Sequence, residues 1–211
     1  MKLKVCGTTQ VQQLKQLDEL GVDYAGLIFY DRSVRYVLNK LKSKDVQQIH
    51  LSLKKVGVFV NASQEDIETQ IELYGLDVVQ LHGDETPAFC SHISNKVTVI
   101  KAFRITQKNE QNIDWMVKPY EECCDYYLFD TDRAGAYGGT GEKFDWEILQ
   151  HNKINKPFFL SGGIGIKDIE KIKAFTHPFF YAIDVNSKVE VADGIKDINA
   201  ITELVDELVI K

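Results

Sequence analysis

Short apolar, β-branched runs recur along the chain. Between them lie segments in which apolar residues return every three or four positions. Runs at about 2–6, 24–29, 55–60, 77–82, 97–102, 125–130, 157–161 and 180–184 predict eight strands. Several, such as Val56-Gly57-Val58-Phe59-Val60, are almost continuously apolar, as expected of strands covered on both faces of a parallel sheet. Val11, Leu14, Leu17 and Leu20 make a helical stripe, as do Ile67, Ile71 and Tyr74, and near the end Ile198, Ile201, Val205 and Leu208. Ser63-Gln64-Glu65-Asp66 has the form of a capping box. The segment at about 106–119 carries the weakest helical pattern. Eight strands alternating with eight helical segments predict an α/β fold, a single-domain (β/α)8 barrel over residues 1–211. A doubly wound open sheet is the alternative. No Pro/Gly/Ser-rich linker or shift in composition divides the chain.

Composition adds exclusions. With 44% hydrophobic and 27% charged residues the chain is an ordinary globular sequence, neither disordered nor a disulfide scaffold. A net charge of −6 gives no global attraction to nucleic acid or to an anionic membrane, so any phosphate must be bound locally. The four cysteines, Cys6, Cys90, Cys123 and Cys124, show no metal or disulfide spacing, which favours a reducing compartment. Thr8, Thr9 and Gln10 interrupt any apolar run that would make a signal peptide, and the stretch from Tyr24 to Tyr30 is far short of the ~20 residues of a membrane span. A soluble, cytoplasmic protein is expected.

In a barrel of this kind chemistry sits on the loops that follow the strands. Those ends carry Cys6-Gly7, then Asp31, Arg32, Ser33 and Arg35, then Asn61, Gln80 to Asp84, Asp130, Ser161-Gly162-Gly163, and Asp184-Val185-Asn186-Ser187. Strand alternation puts Lys4 and Cys6 on one face, opposite Leu3 and Val5, and so turns them into the barrel. An inward lysine needs a carboxylate, and Asp184 is the candidate.

Ser161-Gly162-Gly163-Ile164-Gly165 ends a strand and opens a helix, where glycines let backbone N–H groups approach an anion. It reads either as a phosphate site or as a tight turn, and its place after strand seven favours phosphate. Gly138-Gly139-Thr140-Gly141-Glu142-Lys143 lacks the Gly-Lys-Ser/Thr ending of a P-loop and sits in a long loop, so it is a binding segment or a connector. Cys6 is a buried thiol or, with a nearby positive charge lowering its pKa, a base. Cys90, Cys123 and Cys124 read as packing residues. Asp130 is a charge partner or, if desolvated, a general acid. His82 is the one strand-end imidazole and reads as a hydrogen-bonding orienter. With it alone, a His/Asp metal cluster is not expected. Arg35 is either solvated or a partner for a substrate carboxylate.

Taken in order, Lys4-Val5-Cys6-Gly7-Thr8-Thr9, Ser33-Val34-Arg35-Tyr36, Val56 to Asn61, Val79-Gln80-Leu81-His82-Gly83, Phe129-Asp130-Thr131, Tyr137-Gly138-Gly139-Thr140-Gly141, Phe144-Asp145-Trp146, Leu160-Ser161-Gly162-Gly163 and Asp184-Val185-Asn186-Ser187 cover nearly every strand end. This series resembles the phosphoribosylanthranilate isomerase family of tryptophan biosynthesis. The resemblance implies an Amadori rearrangement of N-(5-phosphoribosyl)anthranilate to 1-(2-carboxyphenylamino)-1-deoxyribulose 5-phosphate, with no metal or organic cofactor. It places the family's general base on Cys6, its general acid on Asp130 and its carboxylate-binding arginine on Arg35. The expected substrate-binding set is Arg35, His82, Gly139, Gly141, Ser161, Gly162, Gly163, Asp184, Asn186 and Ser187, in a monomer or homodimer.

The chain departs from the family pattern in places. Thr8 stands after Cys6-Gly7 where the family has isoleucine, and Asp31 where a proline is frequent. The last phosphate loop reads Asn186-Ser187-Lys188-Val189-Glu190 instead of Ser-Ser-Gly-Val-Glu. Lys188 thus replaces a glycine, which implies an unusual backbone angle at Lys188 or a shifted phosphate. Two rivals remain: a ribulose-phosphate epimerase-like barrel, which would need a metal cluster, and a phosphosugar-binding module without catalysis, which would need neither Cys6 nor Asp130.

Overall fold

The apolar runs form eight parallel strands that close on themselves. In the computed structural model, which describes residues 1–106, 109–131 and 146–208, these are β1 (Lys2–Val5), β2 (Tyr24–Ile28), β3 (Lys54–Phe59), β4 (Val78–Leu81), β5 (Thr98–Ile105), β6 (Tyr126–Thr131), β7 (Phe158–Leu160) and β8 (Phe180–Val185). They pair in sequence order, and β1 pairs with β8 to complete the barrel, with Lys4 in register with Asp184. The open sheet is thereby excluded. Among the described residues no helix is long and apolar enough to cross a membrane.

Alternation along the strands makes two cores. The outward residues, such as Leu3, Val5, Leu27, Phe59 and Leu160, meet the helices in the larger cluster. The inward residues Cys6, Val56, Val58, Val78, Ile100, Leu128, Phe159 and Ala182 fill the barrel. At the ends where the loops begin, the inward positions carry polar residues, while Tyr24, Tyr126 and Tyr181 close the other end of the barrel.

The helices lie where the stripes fall. They are α1 (Val11–Glu19), α2 (Ser43–Gln47), α3 (Gln64–Tyr74), α4 (Pro87–Ser94), α5 (Ile113–Val117), α6 (Glu147–Gln150), α7 (Ile169–Ala174) and α8 (Ile198–Leu208). Leu14 and Leu17 of α1 and Ile201, Leu204, Val205 and Leu208 of α8 are buried. Ser63 caps α3 by accepting from Asp66 N–H at 3.1 Å. The expected capping box is incomplete, because the Asp66 carboxylate accepts from the Ser63 hydroxyl at 2.6 Å and not from the backbone. The weakly patterned stretch before β6 breaks into two 3-10 turns around the five-residue α5, the second of them carrying Pro119. An antiparallel hairpin, β9 (Glu190–Ala192) and β10 (Ile195–Lys196), sits between β8 and α8 and was not expected from the periodicity.

Candidate active site

Strand β1 brings Lys4 and Cys6 to the inner face. The expected pairing forms: Lys4 Nζ donates to Asp184 Oδ1 at 2.7 Å, with both side chains buried. Ser161 Oγ donates to the other carboxylate oxygen at 3.3 Å. Burial pushes the Asp184 carboxyl above the ordinary carboxylate range, against the pull of Lys4. Cys6 is buried at the end of the same strand, its N–H donating to Val185 O at 2.8 Å. Of the two readings of Cys6, the buried thiol is the resting form: burial pushes its pKa up, and the opposing pull of Lys4 does not overcome this.

Strands β4 and β6 supply the facing wall. Asp130, at the end of β6, is buried, and its Oδ2 lies 3.3 Å from His82 Nε2. Gln80, two residues before His82 on the same face, places its amide nitrogen 2.7 Å from His82 Nδ1. With that amide nitrogen as donor, Nδ1 would accept and a ring proton would stand on Nε2, the nitrogen on the Asp130 side, which makes no hydrogen bond among the described residues. The β4 end is itself braced. Buried Lys101 donates to the carbonyls of Leu81 at 3.2 Å and Gly83 at 2.8 Å, on either side of His82, and to Glu85 at 2.9 Å.

Strands β7 and β8 supply two turns. Gly162 and Gly163 have φ of 97° and 68°, which only glycine adopts without strain. The turn continues to Gly165, whose N–H donates to the Asp168 carboxylate at 2.8 Å, and into a 3-10 turn leading to α7. After β8, Asn186 is followed by a 3-10 turn over Ser187–Val189. Lys188 therefore sits in a right-handed turn. Among the described residues Asn61 is the one non-glycine with positive φ, so the unusual backbone angle that the Gly-to-Lys departure implied at Lys188 is not adopted. The lysine begins instead against Gly165, where an added Cβ would lie 2.9 Å from that of Lys188.

Arg35 reaches the site across the end of β1. Gly7, with φ of 74°, makes the crossing possible, since a Cβ there would lie 2.5 Å from Arg35 Cδ. The arginine is already engaged by Glu190 of the hairpin: Nε lies 2.9 Å from Oε1 and Nη2 lies 2.5 Å from Oε2. Lys196 Nζ donates to Glu190 Oε1 at 2.6 Å and to Asn186 Oδ1 at 3.0 Å. Burial alone would push Glu190 up, but hydrogen bonds from Arg35 and Lys196 outweigh it and hold its pKa below the ordinary glutamate value.

These strand ends open into one cavity of about 430 Å³ over the barrel mouth. Cys6, Asp130, Arg35, His82 and Asp184 line it, and so do both turns through Ser161, Gly162, Gly163, Asn186 and Ser187. Gly139 and Gly141 lie outside the described residues. Glu190 and Lys196 were not among the expected site residues. The glutamate stands in the last phosphate loop, three positions beyond Ser187, the last residue read as a ligand, and Lys196 carries no sequence signal at all.

The chain matches a family model and is similar to named and solved members of that family. The family model described as N-(5'phosphoribosyl)anthranilate (PRA) isomerase matches residues 3–207. The N-(5'-phosphoribosyl)anthranilate isomerase of Parabacteroides distasonis is 41% identical over 99% of this chain and 93% of its own. The chain superposes on a dimeric phosphoribosylanthranilate isomerase of Thermotoga maritima, studied as monomers, with a TM-score of 0.81, 30% identity, and coverage of 98% of this chain and 97% of that one. It superposes equally on a phosphoribosyl anthranilate isomerase in complex with reduced 1-(o-carboxyphenylamino)-1-deoxyribulose 5-phosphate, with a TM-score of 0.80, 30% identity and the same coverage. With the match running from the first strand to the last helix, the chain belongs to the N-(5'-phosphoribosyl)anthranilate isomerase family.

Proposed function

We propose that the chain catalyses the Amadori rearrangement of N-(5-phosphoribosyl)anthranilate to 1-(2-carboxyphenylamino)-1-deoxyribulose 5-phosphate, a step of tryptophan biosynthesis, by general acid–base catalysis. Asp130 protonates the ribose ring oxygen, and the C1–O bond breaks to leave a protonated Schiff base. Cys6, as thiolate, takes the proton from C2, and the electron pair moves to the nitrogen to give an enolamine. Ketonisation then returns a proton to C1. C1 is reduced and C2 oxidised, so the step is internally balanced and the substrate's nitrogen serves as the electron sink. Each positioned acid or base contributes typically ~10²–10⁴-fold.

Burial keeps Cys6 as a thiol at rest, and the Lys4 ammonium beside it favours the thiolate needed at the C2 step. The observation that carries the reading is that Cys6 and Asp130 open into the same cavity as Arg35 and the two turns. Arg35 takes the substrate carboxylate. Ser161, Gly162, Gly163, Asn186 and Ser187 take the phosphate, and Gly139 and Gly141 are assigned to the substrate by family resemblance alone. His82 stands beside the acid, and Asp184 holds the Lys4 ammonium next to the base. The four free cysteines fit a reducing cytoplasm, and the dimeric Thermotoga maritima relative leaves monomer and homodimer both in view.

The test is loss of anthranilate-type fluorescence on adding freshly made phosphoribosylanthranilate, corrected for hydrolysis without enzyme. Saturable turnover that falls by at least about a hundredfold in Cys6→Ala and in Asp130→Asn is expected. A folded protein that binds the substrate but gives the same slow background with and without Cys6 would instead be a phosphosugar-binding module.

A further inference from the structure

An arginine that recognises a carboxylate must offer two parallel N–H groups from one edge of its planar fork. Arg35 has its edges allotted unequally. Glu190 occupies the Nε side, at 2.9 and 3.1 Å from Nε and 2.5 Å from Nη2. Asp193 touches Nη2 only at 3.4 Å and is largely exposed, so it is a weak competitor. Nη1 and the outer side of Nη2 form the edge left over.

Neutralising an arginine with a buried carboxylate would ordinarily spoil it for a second one. Lys196 removes that objection. Its side chain is fully buried and its ammonium lies 2.6 Å from the same Glu190. Two cations and one buried anion leave the inner cluster with one positive charge, which matches one carboxylate. The hairpin that carries Glu190 and Lys196 is held by Gly194, whose N–H donates to Glu190 Oε1 at 3.2 Å and whose carbonyl accepts from Thr9 Oγ1 at 2.6 Å. The cluster is therefore tied to the loop that follows Cys6.

We propose that Glu190 is a positioning residue: it grips Arg35 by the Nε edge and turns the opposite edge of the guanidinium toward the carboxylate of the substrate, while Lys196 keeps the cluster cationic. The proposal rests on the isomerase reading for the identity of that carboxylate. It assigns the β9–β10 hairpin a part in recognising the aromatic end of the substrate, at the opposite end of the molecule from the phosphate.

The experiment compares wild type with Glu190→Gln on two ligands that differ in one group: reduced 1-(o-carboxyphenylamino)-1-deoxyribulose 5-phosphate, and its counterpart made from aniline, which lacks the carboxylate. In Glu190→Gln we expect roughly tenfold or greater weakening for the first ligand and a change within about threefold for the second. KM for phosphoribosylanthranilate should rise in parallel, with kcat within about threefold of wild type. Should Glu190→Gln unfold because Lys196 is left unpaired, Glu190→Gln/Lys196→Met removes both charges and is measured the same way. Equal losses on both ligands, or no loss on either, would overturn the role of Glu190. A wild-type protein that binds the carboxylate ligand but turns over no substrate would overturn the isomerase reading and leave Glu190 to be judged by the binding comparison.

Discussion

At the scale of single residues the site depends on what is missing from Gly26. A Cβ at that position would lie 2.8 Å from Cys6 Sγ and 2.9 Å from Cys6 Cα. The second of these atoms is backbone, so a side chain at 26 must move strand β1 and cannot merely rotate a neighbour. Overpacking of this kind costs typically ~1–3 kcal/mol, and a displacement of ~1 Å at a reacting group costs on the order of a hundredfold in rate. Gly26→Ala should fold with a lowered denaturation midpoint and lose at least about tenfold in kcat with a smaller change in KM. Wild-type kcat would show that the position of Cys6 tolerates displacement. The thiol itself gives a second test. Burial raises its pKa, so at neutral pH it holds less thiolate than a free cysteine. Alkylation of Cys6 by iodoacetamide, followed by peptide mass spectrometry, should rise with pH to a midpoint above the free-cysteine value of about 8.5. A midpoint at or below it would mean that Lys4 outweighs burial.

At the scale of elements, the turn after β8 shows how a family departure is absorbed. Lys188 occupies a glycine's place without a left-handed backbone because the turn is 3-10, and its exposed side chain lines the cavity beside Asn186 and Ser187. With the phosphate placed as proposed, its ammonium would add a screened positive charge beside it. Lys188→Ala should raise KM by about two- to fivefold with kcat unchanged, and the difference should shrink in ~0.5 M salt. A salt-independent change would point to altered turn geometry.

Legibility also divides by element. All eight strands could be read, because most are short apolar, β-branched runs buried on both faces. The strand-end residues that line the cavity could be read with them, because alternation decides which of them face inward. The β9–β10 hairpin was missed although Asp193-Gly194 between Ala192 and Ile195 is a two-residue turn signal; its strands are too short to show a period. Helix α5 blurred because its five residues make little more than one turn between 3-10 segments. The Arg35–Glu190–Lys196 cluster joins residues 155 and 6 positions apart, and pairing over such distances leaves no mark in local pattern.

At the scale of the whole molecule the closing seam between β1 and β8 is both structural joint and floor of the site. Lys4 and Asp184 face each other across it in register, with side chains 0% and 5% exposed. A buried pair of this kind contributes little over an apolar pair of the same shape, but removing one partner leaves a charge stranded in the barrel, at a cost of roughly 3–5 kcal/mol. Lys4→Met should therefore be strongly destabilised, and Lys4→Met/Asp184→Asn much less so. The pH dependence follows from the direction of the Asp184 shift. Burial already raises that carboxyl above its ordinary value against the pull of Lys4, and without Lys4 it rises further. A carboxyl with a folded pKa above its unfolded value of about 3.9 destabilises the fold increasingly as pH climbs through that interval, because the unfolded chain releases the proton first. Urea denaturation of Lys4→Met should accordingly show a larger loss relative to wild type at pH 8 than at pH 5, while the double variant, in which the Asp184 carboxyl is gone, should show no such growth of its loss with pH. Equal losses for Lys4→Met at the two pH values would mean that Asp184 finds another partner when the lysine is gone, and that the seam does not depend on the pair for its charge balance.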